Sequence, residues 1–265
     1  MPDHISATQL GMYCRCGEQY RRRYIEGEII PPNGRMIRGS GVHQARKMNL
    51  TQKMTTAKDL AVEECETIAH DAVVGAFAGA VSLEPGQSVS AVRAETIDGA
   101  VRLARCDALG FQREIVPTAV EAEINVVVPG LGRDLKGILD TADAAGAIRD
   151  LKAMSRTPPP TAADTSDQLT TYALLYRTKF GVLPSRVQID AVVDLKTPKA
   201  VPVVSTRTAE DLDMILRRYF AAVQGIDKGV FVPCPSDFWM CDPRYCGYYQ
   251  TCEYVRRGDS RPTDE

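Results

Sequence analysis

Asp150 and Lys152, with Asp140 ten residues earlier, are the side chains of this chain best suited to chemistry. The apolar stretches Leu135–Ala142 and Ala147–Ala153 read as two short strands. The link Asp143-Ala-Ala-Gly146 between them favours an antiparallel hairpin, across which Asp140 and Asp150 meet. Alternate strand residues share a face, so Asp150 and Lys152 project together while Leu151 points to a core. Hard carboxylate oxygens suit Mg²⁺ or Mn²⁺, and Mg²⁺ keeps several waters, which leaves room for a nucleophilic water and a phosphate diester. Such a cation polarises the phosphate and acidifies the water, and a lysine beside it meets the negative charge that develops. The chemistry implied is phosphodiester hydrolysis. The chain holds its own comparison: Asp194-Leu195-Lys196 repeats the tripeptide, but no Gly-x-x-Asp precedes it at hairpin distance, and we read that copy as structural.

Three neighbouring stretches add to this reading. Gln168, Tyr172 and Tyr176 fall at i, i+4 and i+8 of an amphipathic segment, Ser166–Lys179, and share one helical face. A tyrosine stripe is ordinarily core; a glutamine on the same stripe is harder to explain by packing. Gly39 and His43 lie one turn apart on another helix, and a neutral imidazole is a good ligand for Mn²⁺ and a tolerable one for Mg²⁺. The net charge is −2 and the pI about 6.0, so any nucleic-acid surface must be local. Tyr20-Arg21-Arg22-Arg23-Tyr24 is the clearest basic cluster, suited to phosphates and unpaired bases; its bland reading is a solvated helix face.

The order Ser6-Ala-Thr-Gln9-Leu10-x-x-Tyr13-x-x-Cys16-x-x-x-Tyr20-x-x-x-Tyr24, Gly39-x-x-x-His43, Gly137-x-x-Asp140, Asp150-x-Lys152 and Gln168-x-x-x-Tyr172 resembles the RecB-like branch of the PD-(D/E)xK nuclease superfamily over nearly the whole chain. The resemblance implies a metal-dependent DNA exonuclease taking single-stranded DNA or DNA ends, in recombination, repair, phage DNA processing or CRISPR adaptation. His43, Asp140 and Asp150 become metal ligands, with the Leu151 carbonyl completing the shell. Lys152 becomes catalytic, and Gln168 and Tyr172 support the site and DNA. Glu121 resembles a glutamate that often precedes the first core strand, with Glu123 competing for the role. Gly17 departs from the pattern, which has proline after the cysteine. The implied partners are DNA and a separate helicase, recombinase or CRISPR adaptation protein; a homo-oligomer is open and the implied location is the cytoplasm, or a host's cytoplasm for a phage protein. The alternative is a nucleic-acid-binding or scaffold protein without catalysis.

Eight cysteines, with no signal peptide or long apolar span, argue against a secreted disulfide scaffold or a membrane protein. Cys241, Cys246 and Cys252 crowd the C-terminal region, and Cys16 in the N-terminal motif is the best fourth ligand. This one-plus-three layout resembles the iron-sulfur nucleases of the same branch. Four soft thiolates fit a [4Fe-4S] cluster or structural Zn²⁺, and the absence of paired Cys-x-x-Cys knuckles favours the cluster. Cys14 and Cys234 lie near enough in sequence to substitute, whereas Cys65 and Cys106 fall in apolar helical contexts and read as buried thiols.

The elements that must position these groups form one domain over residues 1–265. Residues 1–115 read as mainly helical, with helices at 7–26, 36–54, 57–80 and 95–113. Residues 116–207 read as the core, with strands near 119–128, 135–143, 147–153, 184–194 and 200–206 and the Gln168 helix packed on them. Residues 208–265 supply a last helix, 208–228, and the cysteine cap. The fold class expected is α/β (α+β): a restriction-endonuclease-like core with a mixed central sheet flanked by helices. No nucleotide-binding Gly-x-x-x-x-Gly-Lys-Ser/Thr loop is present, so any motor is another polypeptide.

Overall fold

The computed structural model of the chain describes residues 2–84 and 86–255. Its architecture is the expected restriction-endonuclease-like arrangement, a six-stranded mixed sheet flanked by helices. In chain order the elements are β1 (His4–Ile5), α1 (Ala7–Arg15), α2 (Gly17–Tyr20) running into a π-helical turn at Arg21–Ile25, α3 (Gly34–Thr56), α4 (Val62–Ala76) and α5 (Val89–Gly110). There follow β2 (Pro117–Val126), β3 (Asp134–Asp143), β4 (Ala147–Met154), α6 (Asp167–Phe180), β5 (Arg186–Val193), β6 (Lys199–Ser205) and α7 (Ala209–Asp227). Among the described residues no helix is long and apolar enough to cross a membrane.

Strand alternation sorts the core into two layers. Leu135, Leu139 and Ile148 pack under α6 and α7 with Leu169, Leu175 and Tyr219, whereas Leu151 and Val192 meet Val42 and Leu50 of α3 and Leu103 of α5. A third cluster, with Ala45, Cys65, Ala69, Val73 and Ala104, joins α3, α4 and α5 to one another. Gly41 permits this approach, since a Cβ there would lie 2.9 Å from Val73 and 3.1 Å from the Ala69 carbonyl.

The sheet opens at one place. β2 runs antiparallel along one edge of β3, from Val126↔Leu135 to Pro117↔Asp143. The other edge is shared: β1 pairs in parallel with Asp134 and Leu135, and β4 pairs only at Thr141↔Arg149 and Ala142↔Ile148. Lys136 to Asp140 therefore face no strand on that edge among the described residues. Beyond Arg149, β4 leaves β3 and runs parallel to β5 through Met154↔Val193, the connection being made by α6. β6 closes the far edge antiparallel to β5.

Three expectations need correction. The single helix over 7–26 is broken at Cys16, whose backbone is extended (φ −159°, ψ 105°). The cause is remote: Gly17 N–H donates to the Val232 carbonyl at 2.7 Å, and a Cβ on Gly17 would lie 2.6 Å from Val232 N. Proline there would lack the donor, so the departure from the motif pattern has a structural use. The helices expected at 57–80 and 95–113 run instead over 62–76 and 89–110, the second being set by Ser88, which caps Ala91 N–H. β1 was not expected at all; two residues carry no readable period.

Candidate active site

The fork between β3 and β4 is where the chemistry-bearing residues converge. Where the ladder stops, the Asp140 side chain replaces it, its Oδ2 accepting from Leu151 N–H at 3.0 Å. Gly137, three residues earlier, has no side chain because α6 lies against it: a Cβ would stand 2.5 Å from Leu175 and 3.4 Å from the Tyr172 ring. β4 sends Leu151 into the layer under α3. Asp150 and Lys152 therefore turn the other way, and Lys152 Nζ lies 2.8 and 3.1 Å from the two Asp150 oxygens. The Asp150 side chain is 2% exposed and that of Lys152 39%, so the pair is a buried acid with its cation at the rim.

His43 and Glu121 complete the cluster. α3, capped by the Asn33 side chain on Met36 N–H at 3.0 Å, brings His43 Nδ1 to 3.5 Å from Asp140 Oδ2. Glu121 stands opposite Asp140 in the β2–β3 register, between Val120↔Thr141 and Ala122↔Leu139. Its backbone is left-handed (φ 49°), a conformation an L-residue adopts at a cost of about 1–3 kcal/mol. One ligand atom each from His43, Glu121 and Asp140 lies within 4.8 Å of the others. Glu123 instead pairs with Lys136 at 2.8 Å, so of the two glutamates only Glu121 reaches the cluster.

The electrostatics follow from burial. Desolvation lowers the His43 pKa against the pull of Asp150, which keeps the imidazole neutral and able to donate a lone pair. Burial raises Glu121 and pushes Asp140 and Asp150 up to about 6, with the Lys152 charge opposing. Burial, then the Asp150 charge, also raises Tyr172, whose hydroxyl accepts from Gln168 Nε2 at 2.8 Å. Tyr176 lies off this site, its ring 4.6 Å from that of Phe180. Asp194 is held by Arg38 and by Arg102 at 3.0 Å and takes no part.

Behind the site runs an ion-pair lattice that sequence reasoning missed. Arg46, one turn after His43, donates to Asp107 of α5 and to Asp190 of β5 at 2.9 Å. Arg149, the residue before Asp150, grips the same Asp190 at 2.9 and 3.1 Å, and Gln188 adds a bond at 2.5 Å. The Phe111 ring lies 5.7 and 5.8 Å from the two guanidinium carbons. All four charged side chains are within 4% of full burial. The lattice ties the helix bearing His43 to the strand bearing Asp150. Its signal in the sequence was Arg46 and Asn49 standing at buried phases of an otherwise apolar helix face.

A groove of about 510 Å³ leads from the cluster between α3, β3 and the start of α1. Lys47 and Lys136 stand in its walls, with His4 and the hydroxyls of Ser6 and Ser40. The basic cluster expected at Arg21–Tyr24 lies outside this groove, and two of its three arginines are paired. Arg21 is bound by Glu18 at 2.8 Å and Glu26 at 2.5 Å, and Arg22 is buried against Glu28 and Thr251, both at 2.7 Å. Arg23 lies over the Tyr24 ring, and the Tyr24 ring packs at a tilt of 41° against that of Tyr20, with centroids 5.1 Å apart. The flanking Glu18, Glu26 and Glu28 pair with Arg21 and Arg22, and through Arg22 the segment forms a seam to the C-terminal cap.

At that cap five cysteines, not four, line a cavity of about 20 Å³: Cys16, Cys234, Cys241, Cys246 and Cys252. Cys234 N–H donates to Cys16 Sγ at 3.4 Å, and Gln19 Nε2 to Cys246 Sγ at 3.1 Å. Burial, with Cys16 and Cys241 beside it, pushes the Cys234 thiol up to about 12. Cys14 is exposed and outside the cavity. Cys65 is fully buried, as its context suggested, and Cys106 is partly so.

Comparison with known proteins supplies a context for this geometry. The profile of the PD-(D/E)XK nuclease superfamily matches residues 4–253. No curated protein matches the chain in sequence. Among solved structures, a protein of Eubacterium rectale named as a candidate exonuclease is similar at 13% identity and a TM-score of 0.57, over 97% of this chain and 91% of its own. At that identity the likeness concerns the fold. The structure of SSO0001 matches at 12% identity over 97% of this chain and 89% of its own, with a TM-score of 0.47, too low to add to the argument.

Proposed function

The chain belongs to the PD-(D/E)XK nuclease superfamily, and from that premise we propose that it is a divalent-metal-dependent deoxyribonuclease, an exonuclease acting on single-stranded DNA or DNA ends. The observation that carries the proposal is the convergence of His43, Glu121 and Asp140 at the β3–β4 fork, beside the Asp150–Lys152 pair. The donor set fits Mg²⁺ or Mn²⁺: two carboxylates whose charge burial penalises, and an imidazole that burial keeps neutral. A cation held there supplies polarisation of the scissile phosphate and acidification of a water.

Residues of the chain do the rest. His43, Glu121 and Asp140 hold the metal, with Asp150 and the Leu151 carbonyl at the back of the site. The Lys152 ammonium, anchored by Asp150 and open to solvent, faces the charge that grows on the phosphate and orients the attacking water. Tyr172, its hydroxyl fixed by Gln168, forms one wall of the groove and positions the strand. Lys47, in the groove wall, meets a flanking phosphate. The test is a cleavage assay on end-labelled single- and double-stranded DNA with Mg²⁺, Mn²⁺ or chelator, comparing wild type with Lys152→Ala. Metal-dependent laddering by wild type alone is expected; equal cleavage by both proteins removes the role given to Lys152.

For the cap, our reading is a [4Fe-4S] cluster, supported by soft thiols from both ends of the chain meeting at one cavity. Zinc is the alternative, and iron, sulfide and zinc analysis of anaerobically purified protein decides between them. A helicase, recombinase or CRISPR adaptation protein acting beside this chain would supply the strand.

A further inference from the structure

We infer that the exposed aromatic surface of the cysteine cap, Trp239 and Tyr245 with Arg244, is a stacking platform for unpaired bases, and so selects a single strand as the substrate. The inference rests on the nuclease reading for its purpose but not for its observations.

Trp239 is the chain's one tryptophan and is 63% exposed; Tyr245 is 45% exposed. A large aromatic side chain that leaves its area in water forgoes a sizeable hydrophobic gain, and a cluster of them marks a contact surface. These rings are also fixed relative to each other. Trp239 and Tyr245 meet edge to face, with centroids 5.2 Å apart and planes at 78°, and Phe238 supports the indole from 5.9 Å. Tyr248 is the cap aromatic that is buried, whereas Trp239 leaves most of its area in water.

A guanidinium stands beside the rings, oriented by an ion pair with Asp242. The Arg244 guanidinium lies 5.5 Å from the Tyr245 ring centroid and is held in place by Asp242 at 2.8 and 3.0 Å, while its side chain stays 65% exposed. Exposed aromatic faces held at a fixed angle are what single-stranded nucleic acid requires: bases stack on the rings. A duplex offers no free base face within its length. A protein partner would also cover an aromatic patch, and the test below separates the two.

The platform lies within reach of the site. Pro243 and Arg244 share a cavity of about 180 Å³ with Gly34, Arg35 and Arg38, the first turns of α3. His43 is nine residues after Gly34 on that helix, about 13 Å along its axis. The exposed stripe Met36, Ser40, Gln44, Lys47 runs the same way, and its last three members line the groove. A strand stacked on the cap thus has a short course to the fork.

The single tryptophan makes the experiment direct. Full-length protein in chelator, where cleavage is blocked, is titrated with oligothymidine and with a blunt duplex of equal length while tryptophan fluorescence is followed. The expected result is quenching by the single strand and none by the duplex. Tyr245→Ala and Trp239→Ala, both at exposed positions, weaken single-strand binding roughly 5- to 100-fold by fluorescence anisotropy, as loss of a base–aromatic stack does, and Trp239→Phe restores most of it. Bound single strand without quenching, equal quenching by duplex, or unchanged affinity in both alanine variants overturns the platform; the last outcome assigns the patch to a protein partner. The nuclease reading stands or falls separately, on whether wild type cleaves when Mn²⁺ replaces the chelator.

Discussion

Asp140→Asn is expected to make the metal-free protein more stable while destroying its activity. Burial raises the Asp140 carboxyl from its ordinary 3.8 to about 6, so the folded protein carries this charge at a cost. At about 1.4 kcal/mol per unit the ceiling is near 3 kcal/mol, and sharing with Asp150 brings the expectation to about 1–3 kcal/mol. Asparagine keeps an oxygen for Leu151 N–H, so the bond that bridges the fork survives the substitution. For a chain of this size each kcal/mol moves the melting temperature by about 2–4 °C, so in chelator the variant should melt about 2–10 °C higher. The size of the effect depends on pH. Below pH 3.8 the carboxyl is protonated in both folded and unfolded chains and costs nothing; between 3.8 and about 6 only the folded chain keeps the proton; above 6 the full cost is present. The variant's advantage should therefore be complete at pH 7.5 and vanish near pH 4. Mn²⁺ should raise the melting temperature of wild type and leave that of the variant almost unmoved. Calorimetry in chelator and in Mn²⁺ at the two pH values measures all of this. A variant that melts lower than wild type at pH 7.5 in chelator, or that responds to Mn²⁺ as wild type does, refutes the reasoning.

Glu121→Gly should release the left-handed backbone strain, gaining about 1 kcal/mol in chelator denaturation while weakening Mn²⁺ binding by calorimetric titration. Asp190→Asn removes the charge shared by Arg46 and Arg149 and turns one of its two acceptor oxygens into a donor, which leaves a buried guanidinium underpaired; a loss of about 3–5 kcal/mol is expected, read as a fall in melting temperature of roughly 10 °C. A shift of under 3 °C would show that Asp107 and Asp143 suffice to hold the two arginines. Gly17→Ala should loosen the cap, because its Cβ meets main-chain atoms that cannot yield; faster proteolysis of the C-terminal segment is the readout.

Much of the architecture is legible in the sequence because it is written in local periods. Alternation over 135–142 and 147–153 and the turn at Gly146 (φ 74°) lead to the β3–β4 hairpin, and the stripe from Leu169 to Tyr176 to α6. What escaped was set by residues far apart in the chain. The break at Cys16 depends on Val232, and Arg46 finds Asp190 across 144 residues. The choice between Glu121 and Glu123 was hidden for another reason: alternation puts both on one face, and only the left-handed turn of the backbone at Glu121 separates them. Arg21 and Arg22 read as part of a free cationic run because the flanking acids that pair with them, Glu18, Glu26 and Glu28, were not weighed against it.

The joining of residue 17 to residue 232 makes one wall of the groove hostage to the far end of the chain. Tyr13 Oη donates to the Val230 carbonyl at 2.7 Å, and Gly17 and Arg22 make the bonds already described, so α1 and α2, which meet each other through the Tyr13 and Tyr20 rings 5.5 Å apart, are both tied to the C-terminal segment. α1 in turn begins one residue after β1, the two-residue strand that meets β3 at Asp134 and Leu135, and its first turn faces the groove. Bringing ends more than two hundred residues apart together costs about 5 kcal/mol of chain entropy, and a strand of two residues cannot hold that closure by itself. Damage to the cap, whether by oxidation of its thiols or by clipping of its loops, would therefore first be felt as a slackened groove wall, while the acids of the fork, on strands deep in the sheet, kept their places. A protein built this way would lose its groove before it lost its fork.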